Sequence, residues 1–213
     1  MSGAEVISLI SGIIGILDAT VQVYSAIADA SGLPEAFRDV AQRLPLVKET
    51  LRTVSGRLNT NSPDERFYKT MRPIVDGCKD KAIRLEEIFR KVIPQADAPR
   101  MERYLLALRT LGKGSRVEML MKGILEDVQL LAGNHVMKLA TESELGKLVG
   151  ATKEVSAILP SLPAGTLDPG INNFGSGPQN VNTGDGTQNN NNGLGQQFIG
   201  GTFSGALRFS QVV

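Results

Sequence analysis

Few residues in this chain have the types and spacing for covalent chemistry. Gly112-Lys113-Gly114-Ser115 has the outline of a phosphate loop. A Walker loop needs a further glycine five residues before its Gly-Lys pair, and that position holds Ala107. The flanking segments also read as helices rather than as strand and helix, so a loop with a helix cap is expected there. His135 is the single histidine, which leaves no His-based triad or His-rich zinc site, and it is expected on a helix surface or partly packed. Cys78 is the single cysteine and falls on an apolar seam, where it reads as a small core hydrophobe. It also rules out an intrachain disulfide and suits a reducing compartment. No Gly-x-Ser-x-Gly elbow occurs. The expectation is a protein that is not an enzyme and needs no cofactor or metal.

What does repeat is a set of amides. In blocks of nine the tail reads GSGPQNVNT, GDGTQNNNN and GLGQQFIGG, from Gly175 to Gly201. Gly175, Gly184 and Gly193 share one position, as do Gly177, Gly186 and Gly195, and Gln179, Gln188 and Gln197. Asn180 and Asn189 fall in step as well. A polar segment that buries nothing has no folding reason to keep a frame. A segment that stacks on copies of itself has one: Asn and Gln form amide ladders along a cross-β axis, and glycines permit turns between short strands. Phe174, Val181, Leu194, Phe198 and Ile199 would supply its dry contacts. A calcium β-roll would need an aspartate in every repeat, and only Asp185 is present.

The elements that must carry such a tail lie before Pro160. The first segment, about Ala4 to Ala30, reads as a helix, with Val6, Ile10, Ile13, Leu17, Val21, Tyr24 and Ile27 spaced by threes and fours. Ile7, Leu9, Ile14 and Ile16 widen that stripe until little of its first half is polar. A helix this apolar is either deeply buried or suited to lipid. At ~1.5 Å per residue it would extend ~40 Å, more than a ~30 Å hydrocarbon core. Asp18 would then lie inside the membrane, at ~2.5–3.5 kcal/mol. The resting expectation is therefore a central core helix of a soluble bundle.

Pro34 opens a second helix whose Phe37, Val40, Leu44, Val47, Leu51, Val54 and Leu58 form a heptad-like seam, with a kink expected near Ala41 from Pro45. A third helix is expected from about Asp64 to Ile93, with Phe67, Met71, Ile74, Cys78, Leu85, Ile88 and Val92 inward. Shorter helices follow over about Ala98–Leu111, Arg116–Ala140 with a break at Gly133-Asn134, and Glu142–Leu159. Pro160, Pro163 and Pro169 mark a linker. No period-two pattern survives, so the fold class is all-α, a multi-helix bundle followed by a low-complexity tail expected to be disordered in the free monomer. The expected division is a bundle over 1–159, a linker over 160–171, the repeat motif over 172–205 and an extension over 206–213.

Of 213 residues, 41% are hydrophobic and 21% charged, but beyond Pro160 the only charges are Asp168, Asp185 and Arg208. Lys and Arg number 23 against 22 acids, which gives no argument for a nucleic-acid partner. Glu5 precedes the apolar start and no Lys or Arg occurs before Arg38, unlike an export signal, so a cytoplasmic resting state is expected.

EVISLISGIIGILDA (Glu5–Ala19), GLPEAFRDVAQRLPLV (Gly32–Val47) and GKGSRVEMLMKGILEDVQLL (Gly112–Leu131) resemble the SesA domain, which is related to the HeLo domains of fungal cell-death proteins. The tail resembles the sigma amyloid motif of such effectors and of partner NACHT-type nucleotide-binding receptors, although its third repeat replaces the Asn-rich half with Gln197-Phe198-Ile199. The resemblance implies a signalling effector in NLR-linked programmed cell death, of the kind behind heterokaryon incompatibility and innate immunity. A receptor bearing similar segments would template the tail into a homotypic, prion-like amyloid. Clustering would then free the first helix, through Val6, Ile7, Leu9, Ile10, Ile13, Ile14, Ile16 and Leu17, to disturb plasma-membrane lipid. The alternative is a soluble helical adaptor that binds a partner through the bundle and touches no membrane.

Overall fold

Apolar residues recurring every three or four positions can be buried only if each stretch winds into a helix and lays that stripe on a neighbour. The computed structural model describes residues 3–27, 31–61, 63–94, 98–134 and 139–162. They form six α-helices: α1 (Gly3–Ser25), α2 (Glu35–Asn61), α3 (Glu65–Val92), α4 (Arg100–Leu111), α5 (Val117–Ala132) and α6 (Glu142–Ser156). A 3-10 turn at Lys113–Ser115 joins α4 to α5, and no strand occurs among the described residues. The protein is all-α. The repeat residues from Phe174 to Ile199, and His135, lie outside the described residues.

In α2 all seven seam residues, from Phe37 to Leu58, are buried. The kink expected near Ala41 does not interrupt it, because Pro45 sits within one continuous helix. In α3 the expected Met71, Cys78, Leu85, Ile88 and Val92 are buried and Phe67 and Ile74 only partly covered, while Tyr68, Val75, Ala82 and Phe89 widen the buried face beyond expectation. The cause is that α3 packs against α1, α4 and α5, so its burial follows all three partners and not one stripe. Asp64 caps α3, accepting from the Phe67 amide at 2.9 Å. A capping box starts α6: Thr141 Oγ1 accepts from the Glu144 amide at 3.2 Å, and the Glu144 carboxylate accepts from the Thr141 amide at 2.7 Å.

Helices α1, α2, α5 and α3 make a closed ring of four in which α1 packs on α2 and α3, and α5 packs on α2 and α3. The diagonal pairs α1/α5 and α2/α3 lie further apart across the ring, α2 and α3 meeting in its core through Phe37 and Phe89, whose centroids are 5.1 Å apart. Outside the ring, α4 lies on α3, and α6 lies on α5 and α2. α5 packs on α2, α3 and α6, with Val117, Leu120, Met121, Ile124, Leu125, Val128 and Leu131 all buried. The expectation that α1 is a central core helix holds for its buried stripe and is corrected for its position: among the described residues it is a corner helix with two helix neighbours and an outer face on which no other helix packs. It also ends at Ser25, short of Ala30.

The packed unit does not stop at Leu159. Ser161 and Leu162, expected to begin the linker, are 8% and 2% exposed.

Candidate functional site

The residues that set this chain apart are those of α1 and its seat. Val6, Ile10, Ile13 and Leu17 are buried, in the spacing read from the sequence; beyond them Thr20 is the buried residue, and the expected Val21, Tyr24 and Ile27 are only partly buried. Ile7, Leu9, Ile14 and Ile16 are half-buried against the same core. The outer face consists of Ala4, Glu5, Ser8, Ser11, Gly12, Gly15 and Gln22. A Cβ added at Gly12 or Gly15 would meet nothing within 4 Å, so neither glycine serves a close contact in the bundle. Thr20 is buried without strain because its hydroxyl donates to the Ile16 carbonyl at 2.9 Å. Among the described residues α1 is the one helix long and apolar enough to cross a membrane, with mean hydropathy 1.9. Core helices of soluble proteins pass the same criterion.

Three contacts hold α1 along its length. At its start, Gly3 lies so close to the Tyr68 ring of α3 that no Cβ fits between them. Toward its end, the Asp18 carboxylate pairs with Lys48 of α2 and lies 3.6 Å from Arg52. In its last turn the Tyr24 ring lies 6.1 Å from that of Phe89, centroid to centroid. Burying Val6, Ile10, Ile13 and Leu17 stabilises the seat by roughly 6–12 kcal/mol, at about 1.5–3 kcal/mol each. That is comparable with the whole stability of a typical domain. α1 therefore leaves the bundle only for another environment that covers those side chains.

A second polar arrangement was not legible in the sequence. Tyr104 of α4 is buried; its hydroxyl meets the Ser161 hydroxyl at 2.7 Å and accepts from the Val117 amide at 3.3 Å. The Ser161 amide donates to the Glu118 carboxylate at 3.1 Å. Burial pushes the Tyr104 phenol up to about 12, partly opposed by its bonds to Ser161 and Val117. The apolar Leu162 beside Ser161 was the available signal, masked by the prolines on either side.

The remaining chemical candidates resolve as structure. Cys78 is fully buried, and desolvation, followed by the Asp127 charge, raises its thiol to about 12. The Gly112-Lys113-Gly114-Ser115 turn has Gly112 at φ 95°, and the Ser115 hydroxyl donates back to the Leu111 carbonyl at 2.9 Å. The expected cap is thereby corrected: Arg116 occupies the N-cap position of α5 and makes no side-chain bond there. A groove of about 600 Å³ beside Glu35, Asp39, Met101 and Ile158 contains the Arg43–Glu154 ion pair at 3.1 Å. No cluster of three or more metal-ligating side chains occurs among the described residues.

Neither the curated proteins nor the solved structures contain a match to this chain. Two family models do match. One is the sigma domain on NACHT-NTPases, over residues 168–210. The other is SesA, the N-terminal domain on NACHT NTPase and P-loop NTPases, over residues 10–131 and hence more than half of the 213 residues. The chain belongs to the SesA family and carries a C-terminal sigma domain of the kind found on NACHT-NTPases.

Proposed function

We propose that this protein is a signal-transducing cell-death effector switched on by assembly of its tail. In this reading a NACHT-type receptor presents segments similar to the sigma domain at 168–210 and templates it into a cross-β stack. Stacking raises the local concentration of the helical domains, so weak association becomes effectively intramolecular. The protein is cytoplasmic at rest, and after clustering α1 moves to the plasma membrane. The action is mechanical, without catalysis or a cofactor.

The observation that carries this reading is the place of α1 in the ring. It is the first helix of the described chain and a corner of the bundle. Removing it breaks the α1–α2 and α1–α3 contacts but leaves α2–α5 and α3–α5 in place. A corner helix on whose outer face no described helix packs departs without displacing another one. Its 23 residues extend ~35 Å at ~1.5 Å each, sufficient for a ~30 Å hydrocarbon core. Lipid is also an environment that covers the four buried aliphatic side chains again.

The adaptor reading draws on the same seat, since α1 already buries its strongest stripe in the bundle. Two measurements separate the readings. The isolated 168–210 segment is expected to form thioflavin-positive fibrils with a ~4.7 Å reflection. A segment that stays soluble even when seeded removes the switching mechanism. Clustered full-length chains that leave vesicles intact favour the adaptor.

A further inference from the structure

We infer that Asp18 is a dual control on α1: its carboxylate clasps α1 to α2 through Lys48 and Arg52, and the same charge opposes entry of α1 into lipid. The second half rests on the membrane reading above; the first does not.

Within α1 the only charged residues are Glu5 and Asp18. Glu5 lies in the first turn, where the helix dipole favours an acid. Asp18 has no such local reason. It lies far along the helix, directly after buried Leu17 and two residues before buried Thr20. Aspartate is also a poor residue for a helix interior. Its reason lies across the interface. The Lys48 side chain is only 13% exposed and pairs with Asp18. Arg52, one turn further along α2, reaches the other Asp18 oxygen at 3.6 Å and Glu49 at 3.9 Å. Lifting α1 away would take the carboxylate from between the Lys48 ammonium and the Arg52 guanidinium, and neutralising Asp18 with α1 in place would leave Lys48 covered and unpaired by it. Truncating one partner of such a pair is costly because the other charge stays buried. In hydrocarbon the carboxylate itself is the unfavourable group. One residue thus holds the resting state twice over, and its neutralisation acts on both steps in the same direction. Lys48 acts on the first step alone.

The test uses the full chain. Amide exchange of α1 is measured by mass spectrometry on unassembled Asp18→Asn and Lys48→Gln proteins and on the charge-reversed pair D18K/K48D. Both single variants are expected to exchange α1 amides about fivefold faster than wild type, with the other helices unchanged. The reversed pair is expected to recover most of the protection, as in a double-mutant cycle. Dye leakage is then measured with vesicles of equal parts phosphatidylcholine and phosphatidylserine after assembly is started. Asp18→Asn is expected to leak faster than Lys48→Gln, because only Asp18→Asn removes the charge that lipid rejects. Unchanged exchange in both single variants overturns the clasp, as does a reversed pair that stays as exposed as the singles. Equal leakage from the two single variants overturns the lipid half. If wild-type assemblies leave vesicles intact while the exchange results hold, the membrane reading fails and the clasp stands.

Discussion

The Tyr104 and Ser161 hydroxyls lie 2.7 Å apart in the core, fastening the residues that follow α6 to α4. The same Tyr104 ring stands edge-on to Phe37 of α2 with centroids 5.0 Å apart. Phe37 meets Phe89 of α3 at 5.1 Å, and Phe89 meets Tyr24 of α1 at 6.1 Å. Four rings therefore lead from the end of the packed unit to the last turn of α1. Aromatic pairs of this geometry contribute about 0.5–1.5 kcal/mol each beyond the area they bury.

The first prediction concerns this fastening. Tyr104→Phe keeps the ring contacts but leaves the Val117 amide and the Ser161 hydroxyl without their observed partner. A buried polar group left in that state costs about 1–3 kcal/mol. A chain ended after Leu162 is expected to be more stable than one ended after Leu159, because only the longer one keeps buried Ser161 and Leu162. Urea unfolding of the three proteins checks both expectations. Identical midpoints for the two truncations would show that the packed unit ends where the prolines begin.

The second prediction separates the two faces of α1. Ile13 is fully buried, whereas Ile16 is half-buried. Ile13→Lys is expected to unfold the bundle, because an unpaired charge in an apolar core is among the most destabilising changes available. Ile16→Lys is expected to stay folded, losing about 1–2 kcal/mol, since its head group reaches solvent. On insertion scales the same lysine costs ~2.5–3.5 kcal/mol at a helix centre, so vesicle leakage is expected to fall sharply. Circular dichroism and dye release on one preparation read the two effects independently.

The third prediction is a pH dependence. The Cys78 thiol is raised from an ordinary 9.0 to about 12, and the Tyr104 phenol from 10.0 to about 12. In both cases the folded protein favours the protonated, neutral form. Their contribution is fully present below pH 9 and is lost as pH rises from the unfolded values toward 12. The stability curve is expected to fall on the alkaline side, and Cys78→Ala is expected to flatten its onset. A thiol reagent at neutral pH is expected to modify Cys78 only at the rate of opening. Fast modification of the native chain would contradict this burial.

Much of this architecture is legible in the residues. The α2 seam and the inner stripe of α1 follow directly from three-and-four spacing, because each of those faces meets its neighbours over one stripe. In α3 that spacing finds Met71, Cys78, Leu85, Ile88 and Val92 but not Tyr68, Val75, Ala82 and Phe89, because α1, α4 and α5 together cover a face wider than one stripe. The position of α1 was misjudged for a related reason. Its outer strip of Ala4, Ser8, Ser11, Gly12 and Gly15 is small rather than charged, so composition alone suggested burial on all sides. Asp18 was legible as a cost in lipid, but its partners are 30 and 34 residues further along the chain and only the fold brings them together. The Ser161 fastening was hidden because proline is read as the end of packing, when it ends only the helix.

The central claim is that assembly of the tail is what sends α1 to the membrane. Its most direct measurement adds preformed fibrils of the 168–210 segment to full-length protein mixed with dye-loaded vesicles. A composition-matched scramble of that segment serves as the control seed. Dye release is expected to follow conversion of the full-length chain by the native-order fibrils, with none from the scramble. Full conversion of the chain with the vesicles still sealed would contradict the account.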